Sequence, residues 1–335
     1  MAQHPSELRF RFQYVNQSGK VVGWRSVRGS LTEESIQLKG EILNYQAILH
    51  STCRDRRLIL TINPQKVSST EIVKHLISGK VLALEITQAK ALALEVFINR
   101  ISSHYLAETH REELEREGKG REFHSVSCPH CNATVDLSLL NKTPYVYCRF
   151  CETIFQERRD LMTVGRTYRL CDECGWFDRV QGYTEFYFYF LLIVYGFSWK
   201  RRHLCDNCVN QVFWKVLMVN LIFVLGIFPA FWMKIKSLMG RTKELKNLAK
   251  ANALGKQGKC DQADNIYAEL YEHYPKHPGL LLSQGLSYLK GQDGHKTWSL
   301  LEDSLQSCSN YAPAVRVMNR LQDAVSKSPR SESRS

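Results

Sequence analysis

Residues 8–15 alternate apolar and polar side chains (LRFRFQYV), as do residues 21–27, the two-residue period of a strand with one face buried. Shorter runs follow at Ser35–Leu38, 45–50 and Arg57–Ile62, punctuated by Gly19, Gly29, Gly40 and the Asn63-Pro64 pair. The spacing predicts a meander of five or six strands over residues 1–65, forming a small sheet or partly open barrel. At residue 70 the period changes. Ser69-Thr70-Glu71 can start a helix, EIVKHLI makes one short amphipathic turn, and residues 82–117 then run without glycine or proline. Leu84, Ala91, Leu94, Ile98, Ile101 and Tyr105 recur along this run and predict the face by which one long helix packs on the sheet. Its charged end, ETHREELEREGKGRE, is broken by Gly118 and Gly120 and predicts a solvated linker over residues 118–127, with His104 and His110 on the surface.

Two later stretches are almost wholly apolar. Residues 183–199 read YTEFYFYFLLIVYGFSW, rich in aromatics of high β-propensity and carrying Glu185. Residues 212–233 read VFWKVLMVNLIFVLGIFPAFWM, with Lys215 as their one charge and Trp214 and Trp232 near the two ends. A helix that spans a bilayer needs about 20 apolar residues, and tryptophan favours the interface. The second stretch therefore predicts membrane insertion, as one crossing or, through Gly226 and Pro229, as a short re-entrant hairpin. Residues 244–325 return to helical periodicity. Ala251, Leu254, Ala263, Tyr267, Leu270 and Pro275 are followed, thirty-four residues on from the first two, by Gly285 and Tyr288, then by Trp298, Leu301, Leu305 and Pro313. Residues 326–335 are polar and predict a disordered tail.

Composition narrows the partners. The chain has 335 residues, 44% of them hydrophobic, and a net charge of +12, which admits nucleic acid, anionic lipid or an acidic protein. Residues 234–259 hold eight lysines and arginines against Glu244 alone. Directly after an apolar segment, such a run has its simplest account as a flank drawn to anionic lipid. The opening MAQHPSELRF lacks the apolar core of a signal peptide, so reduced thiols facing the cytoplasm are expected.

Thiols are what the middle of the chain supplies. Eight of the eleven cysteines form Cys-x-x-Cys pairs: Cys128/Cys131, Cys148/Cys151, Cys171/Cys174 and Cys205/Cys208. Each pair can turn two sulfurs toward one ion, and two pairs complete a tetrahedral four-thiolate site suited to zinc. A single redox pair, disulfides and an iron–sulfur cluster are the alternatives. Four pairs in tandem argue against the first, and disulfides would need an oxidising compartment. The spacing predicts two structural zinc ions, one held by Cys128, Cys131, Cys148 and Cys151, the other by Cys171, Cys174, Cys205 and Cys208. His124 and His130 are spare donors. If residues 183–199 spanned a bilayer, the last two pairs would lie on opposite sides and could not share an ion. A β-hairpin or interfacial wedge is therefore expected there.

Four resemblances attach to these residues. CPHC and CRFC, sixteen residues apart, resemble a zinc ribbon (128–160), and CDEC with CDNC a second one (166–208). The layout RLCDECG, aromatic stretch, HLCDNCV, then an apolar run is similar to small bacterial zinc-ribbon proteins that lead into membrane segments. In this chain Leu-Gly-Ile-Phe-Pro stands where their glycine-tryptophan signature falls. The strand rhythm of residues 1–117 resembles a bacterial pleckstrin-homology-like sheet. Residues 244–325 resemble tetratricopeptide repeats, with small residues where paired helices cross and a closing proline. That last resemblance implies a groove lined by the first helix of each pair, roughly 244–256 and 278–290. Lys246, Asn247, Lys250, Gln284 and Lys290 would then face a protein partner such as an acidic peptide.

The expected fold is multidomain α+β: a β-rich domain with a long helix, two zinc ribbons, a membrane-associated apolar segment and a C-terminal α-helical repeat. Phosphate loops, zinc-protease motifs and nucleophile elbows are missing from the sequence, so binding or scaffolding is expected and no enzyme. The expected function is a membrane-associated adaptor with ribbons and repeats facing the cytoplasm. A zinc-ribbon nucleic-acid binder is the alternative, and it has little use for residues 212–233.

Overall fold

The computed structural model describes residues 7–54, 56–86, 91–156, 168–191, 194–220, 235 and 243–327, with the backbone alone over 184–201. The chain is a mixed α+β protein of two compact units, Met1–Leu139 and Leu140–Ser335.

In the first unit, β1 (Leu8–Tyr14), β2 (Val27–Leu31), β3 (Ser35–Leu38), β4 (Glu41–Asn44), β5 (Ile48–Arg54), β6 (Arg57–Ile62) and β7 (Val81–Ile86) form one antiparallel sheet in the order β4-β3-β2-β1-β7-β6-β5. Alternation puts Phe10, Phe12 and Tyr14 of β1 inside, where they join Leu31, Leu60, Leu84 and Ile98 in a single core. A short α1 (Thr70–Lys74) is capped by Ser69, whose Oγ accepts the Ile72 N–H at 3.2 Å. The long helix α2 (Ala91–Arg116) closes the core with Ala91, Leu94, Phe97 and Ile98.

The sheet corrects the sequence reading in two places. Residues 82–86 are strand, not helix, and Leu84 points into the core from β7. VLALEI is a short apolar run buried between β1 and β6, and periodicity does not separate such a run from a buried helix. Residues 22–25 bend instead of continuing a strand, because Gly23 takes φ +80° and its carbonyl accepts the Gln13 amide at 3.0 Å.

Strand β5 lies at the sheet edge, and α2 covers it. Asn99 Oδ1 accepts both the N–H and the hydroxyl of Ser51 (2.9 Å each), and Asn99 Nδ2 donates to the Ser51 carbonyl at 2.9 Å. Glu95 Oε2 accepts the Cys53 N–H at 3.1 Å. Helix side chains thus satisfy polar groups that would otherwise template another strand.

The second unit opens with a small hairpin, β10 (Val146–Tyr147) and β11 (Ile154–Phe155), and a three-stranded sheet of β12 (Tyr168–Leu170), β13 (Phe177–Leu191) and β14 (Val194–Cys205). Strands β13 and β14 pair from Val180↔Cys205 out to Leu191↔Val194. Residues 183–199 are therefore the arms of one long hairpin, and both of its cysteine pairs sit at the same end. Strand β14 runs straight into α3 (Asp206–Asn220). Among the described residues no helix is long and apolar enough to cross a membrane. Residues 221–234, the greater part of the expected membrane segment, lie outside them, as do residues 328–335 of the expected tail.

Five helices complete the unit: α4 (Lys243–Lys256), α5 (Cys260–His273), α6 (Pro278–Lys290), α7 (Gly294–Ser307) and α8 (Ala312–Lys327). Fully buried Ala251 and Ala263 allow α4 and α5 to approach closely, and Tyr267, Leu270, Leu280, Leu301 and Tyr311 fill the space between helices. Tyr145 and Tyr147 of the small hairpin belong to the same core. The Tyr145 hydroxyl donates to the Pro275 carbonyl at 3.0 Å. Asn310 clasps the backbone of Tyr147 on both sides, at 2.9 and 2.8 Å.

His277 caps α6 from inside this core. Its ring lies against Phe177 and Tyr145 (centroids 5.0 and 5.3 Å), and its Nδ1 accepts the Gly279 N–H at 3.2 Å. That bond requires the neutral ring, with its proton on Nε2. Burial pushes the His277 pKa down to about 3. The unfolded chain takes up this proton near the ordinary value of about 6.5, before the folded chain does. The stability that neutral His277 contributes is whole above that value and declines as pH falls toward 3, by at most about 1.4 kcal/mol per pH unit. Thermal unfolding between pH 7 and 4 should therefore show a steeper fall in Tm for wild type than for His277→Asn. Parallel curves would contradict it.

Candidate metal centres

Three of the four cysteine pairs are the same backbone object. The first cysteine donates its N–H to the carbonyl five residues on: Cys128 to Ala133, Cys148 to Thr153 and Cys171 to Trp176, each at 2.9 Å. Its carbonyl accepts the N–H four residues on, from Asn132, Glu152 and Gly175 at 2.9, 2.7 and 2.9 Å. The residue after the second cysteine turns the chain back through the left-handed region, with φ of 56° at Asn132, 61° at Glu152 and 72° at Gly175. Such a knuckle aims both sulfurs to one side and satisfies its own buried backbone. The fourth pair is built differently. Cys205 ends β14 and Cys208 lies in the first turn of α3, so a helix start replaces the turn. The N–H of Cys205 donates to Cys171 Sγ at 3.3 Å and ties the two halves of the centre together.

The four pairs come together in two groups. The sulfurs of Cys128, Cys131, Cys148 and Cys151 lie within 4.8 Å of one another, and so do those of Cys171, Cys174, Cys205 and Cys208. Zinc–sulfur bonds of about 2.3 Å in a tetrahedron place sulfurs roughly 3.8 Å apart. The Cys174–Cys205 separation is 3.9 Å. Each group therefore fits one tetrahedral ion, and the two clusters resemble zinc ribbons. Bound there, a metal supplies cross-linking and folding energy; four thiolates leave no coordination position for a substrate.

Local packing fixes the ligands of the first centre. On the 128/131 side, β8 (Ser125–Ser127) pairs with β9 (Thr134–Asp136), and the Thr134 N–H donates to Ser103 Oγ of α2 at 2.8 Å. His110 Nδ1 meets Asp136 Oδ2 at 2.5 Å. His110, expected on the surface, is half-buried and pins this hairpin to the helix. On the 148/151 side the Thr153 hydroxyl lies 3.3 Å from Cys151 Sγ, placed to donate to it as a thiolate.

The second centre is set against the C-terminal helices. Phe177 enters the space that a side chain on Gly279 would take: a Cβ there would stand 2.5 Å from its ring. Ser283 Oγ accepts the Phe177 N–H at 3.0 Å and donates to the Phe177 carbonyl at 3.2 Å. Asn252 Nδ2 donates to the same carbonyl and to Asp178 Oδ2, both at 3.0 Å, while Tyr267 holds Asn252 Oδ1 at 2.8 Å. Burial pushes the Asp178 carboxyl up to about 7. Lys256 of α4 reaches the sulfurs themselves, its Nζ 3.1 Å from Cys174 Sγ and 4.0 Å from Cys205 Sγ. Burial works against the charge on Lys256, but the charges of Cys205 and Cys174 outweigh it and its pKa rises.

The structure distributes the expected partner-binding residues. Lys250 and Lys290 are exposed. Asn247 donates to Glu269 Oε2 at 3.2 Å. Gln284 lies between helices, donating to Asp264 Oδ1 at 2.9 Å and accepting the Tyr271 hydroxyl at 2.7 Å. The side chain of Lys246 lies outside the described residues. Sequence reasoning missed Lys256, Asn252, Ser283 and the paired glycines. The available signal was Gly255 and Gly279 inside or at the start of helices, where glycine without a turn marks a close approach.

The left-handed positions make a direct forecast. Nothing lies within 4 Å of a Cβ built on Gly175, so Gly175→Val tests backbone strain alone. It should cost about 1–2 kcal/mol, roughly tenfold in metal affinity at the second centre. Glu152→Gly should raise affinity at the first. Chelator competition on the full chain reads both, and equal affinities for Gly175→Val and wild type would refute the knuckle geometry. Comparison with known protein families, with curated proteins and with solved structures gives no match, so the reading of the two centres rests on their geometry.

Proposed function

We propose that this protein is a membrane-associated adaptor in which two zinc ions are structural and paired helices of the tetratricopeptide kind bind a protein partner. The observation that carries this reading is the closure of both centres. Each offers four thiolates and no open position, and seven of the eight cysteines are buried, with Cys174 intermediate. Sites of this kind hold a fold together. The topology of the first unit, seven antiparallel strands closed by one helix, supports its likeness to a pleckstrin-homology-like sheet.

Membrane attachment is supported by the start of the apolar run. On α3, Trp214 and Met218 are 56% and 66% exposed, large apolar surface that water does not favour. The basic residues 234–259 follow, suited to anionic lipid on the cytoplasmic side. Exposed Lys250 and Lys290 are the residues of the expected groove left free for an acidic peptide.

Fractionation tests the reading. The full chain should pellet with membranes and resist a carbonate wash. A chain lacking residues 221–239, which keeps all eight paired cysteines, should stay in the supernatant and still carry two zinc ions by elemental analysis. Full-length protein found in the supernatant without detergent would end the membrane assignment. A glutamate-rich peptide should bind the full chain, and Lys250→Glu with Lys290→Glu should weaken that binding without changing metal content or pelleting.

A further inference from the structure

Four thiolates around a divalent ion carry a net charge of −2. Cys171, Cys205 and Cys208 are 2%, 0% and 4% exposed, so the second centre bears that charge largely away from water. A buried charge needs a counter-charge or dense hydrogen bonding. The ribbon itself supplies the Cys205 N–H to Cys171. The remaining requirement is met from elsewhere in the chain.

We propose that Lys256, a residue of the helical region, is a working part of the second metal centre: its ammonium neutralises half of the cluster's charge and is needed for full metal affinity. The inference rests on reading Cys171, Cys174, Cys205 and Cys208 as a metal site. Its observations are geometric. The Lys256 ammonium lies between two sulfurs, at 3.1 and 4.0 Å, on Cys174 and Cys205, which come from opposite halves of the cluster. Its placement is enforced over the preceding turn of α4. Gly255 admits the Trp176 ring, which a Cβ would approach to 2.8 Å, and Lys256 Nζ stands 5.6 Å from the centre of that ring. One turn earlier, Asn252 is fixed to Phe177, Asp178 and Tyr267. A lysine held by glycine, tryptophan and a buried amide keeps little freedom to swing into solvent. It also makes metal binding and helix docking one coupled event: α4 seats the ammonium, and the charged cluster holds α4.

Chelator competition on the full chain decides this, with alkylation of released thiols read by mass spectrometry to assign each ion to its cysteines. Outer groups that support metal ligands typically contribute about 10- to 100-fold in affinity. Lys256→Gln should lose zinc from Cys171, Cys174, Cys205 and Cys208 at chelator concentrations about 10- to 100-fold lower than wild type. The first centre, in the same molecule, should be unchanged and shows that the variant is folded. Lys256→Arg keeps the charge and should recover most of the loss. Hydrogen exchange supplies a readout without metal analysis: stripping the second ion should raise amide exchange in residues 243–256 together with 171–179. Wild-type protein with two ions and a Lys256→Gln variant of equal affinity would overturn this proposal alone. Wild-type protein whose second set of thiols alkylates freely while the first is protected would overturn both it and the metal reading beneath it.

Discussion

The second unit depends on one peptide. The backbone of Phe177 leaves the third knuckle at the point where the chain enters the helices, and both its N–H and its carbonyl are removed from water. Each would be costly unpaired. Ser283 satisfies the donor, Ser283 and Asn252 share the acceptor, and the ring above fills the vacancy at Gly279. The start of strand β13 is therefore fixed by side chains of α4 and α6. The knuckle that contributes Cys171 and Cys174 is thereby registered against helices distant in sequence.

This arrangement commits part of the helix surface to the chain's own fold. One side of the helices α4 and α6 is covered by the chain's own Trp176, Phe177 and Asp178. Asn252, Gly255, Lys256, Gly279 and Ser283 all turn toward that segment. The small hairpin adds Tyr145 and Tyr147 to the same core. The five helices thus share one core with the small hairpin and with Phe177.

Much of this is legible in the sequence because its signals are local. Cysteine spacing gives both ligand sets, since two residues between sulfurs suffice for a knuckle whatever surrounds it. Alternation gives β1, β3 and β6, and small residues at Ala251 and Ala263 mark where helices cross. Strand β7 is not legible, because Ala83 is buried along with the inward Leu82, Leu84 and Ile86, and VLALEI then reads like helix. Lys256 is hidden for another reason. Within a run of eight cations it is one lysine among many, and only the fold brings it, and not Lys250, to a sulfur. Gln284 shows the converse: helical spacing places it on the expected face, yet Asp264 and Tyr271 hold it between helices.

The fourth cysteine pair has a mechanical meaning. Cys208 sits in the first turn of α3, and the same fifteen-residue helix carries residues 212–220 of the apolar run. A helix of that length is a stiff rod of about 22 Å, with no glycine or proline to bend it. The far end of α3 is thus tied rigidly to Cys208, a candidate metal ligand. Tilting the rod would drag the sulfur with it or, with an ion bound, strain a metal–sulfur bond. An ion held there would in that sense act as a clamp, joining α3 to the third knuckle and to the helices packed on it.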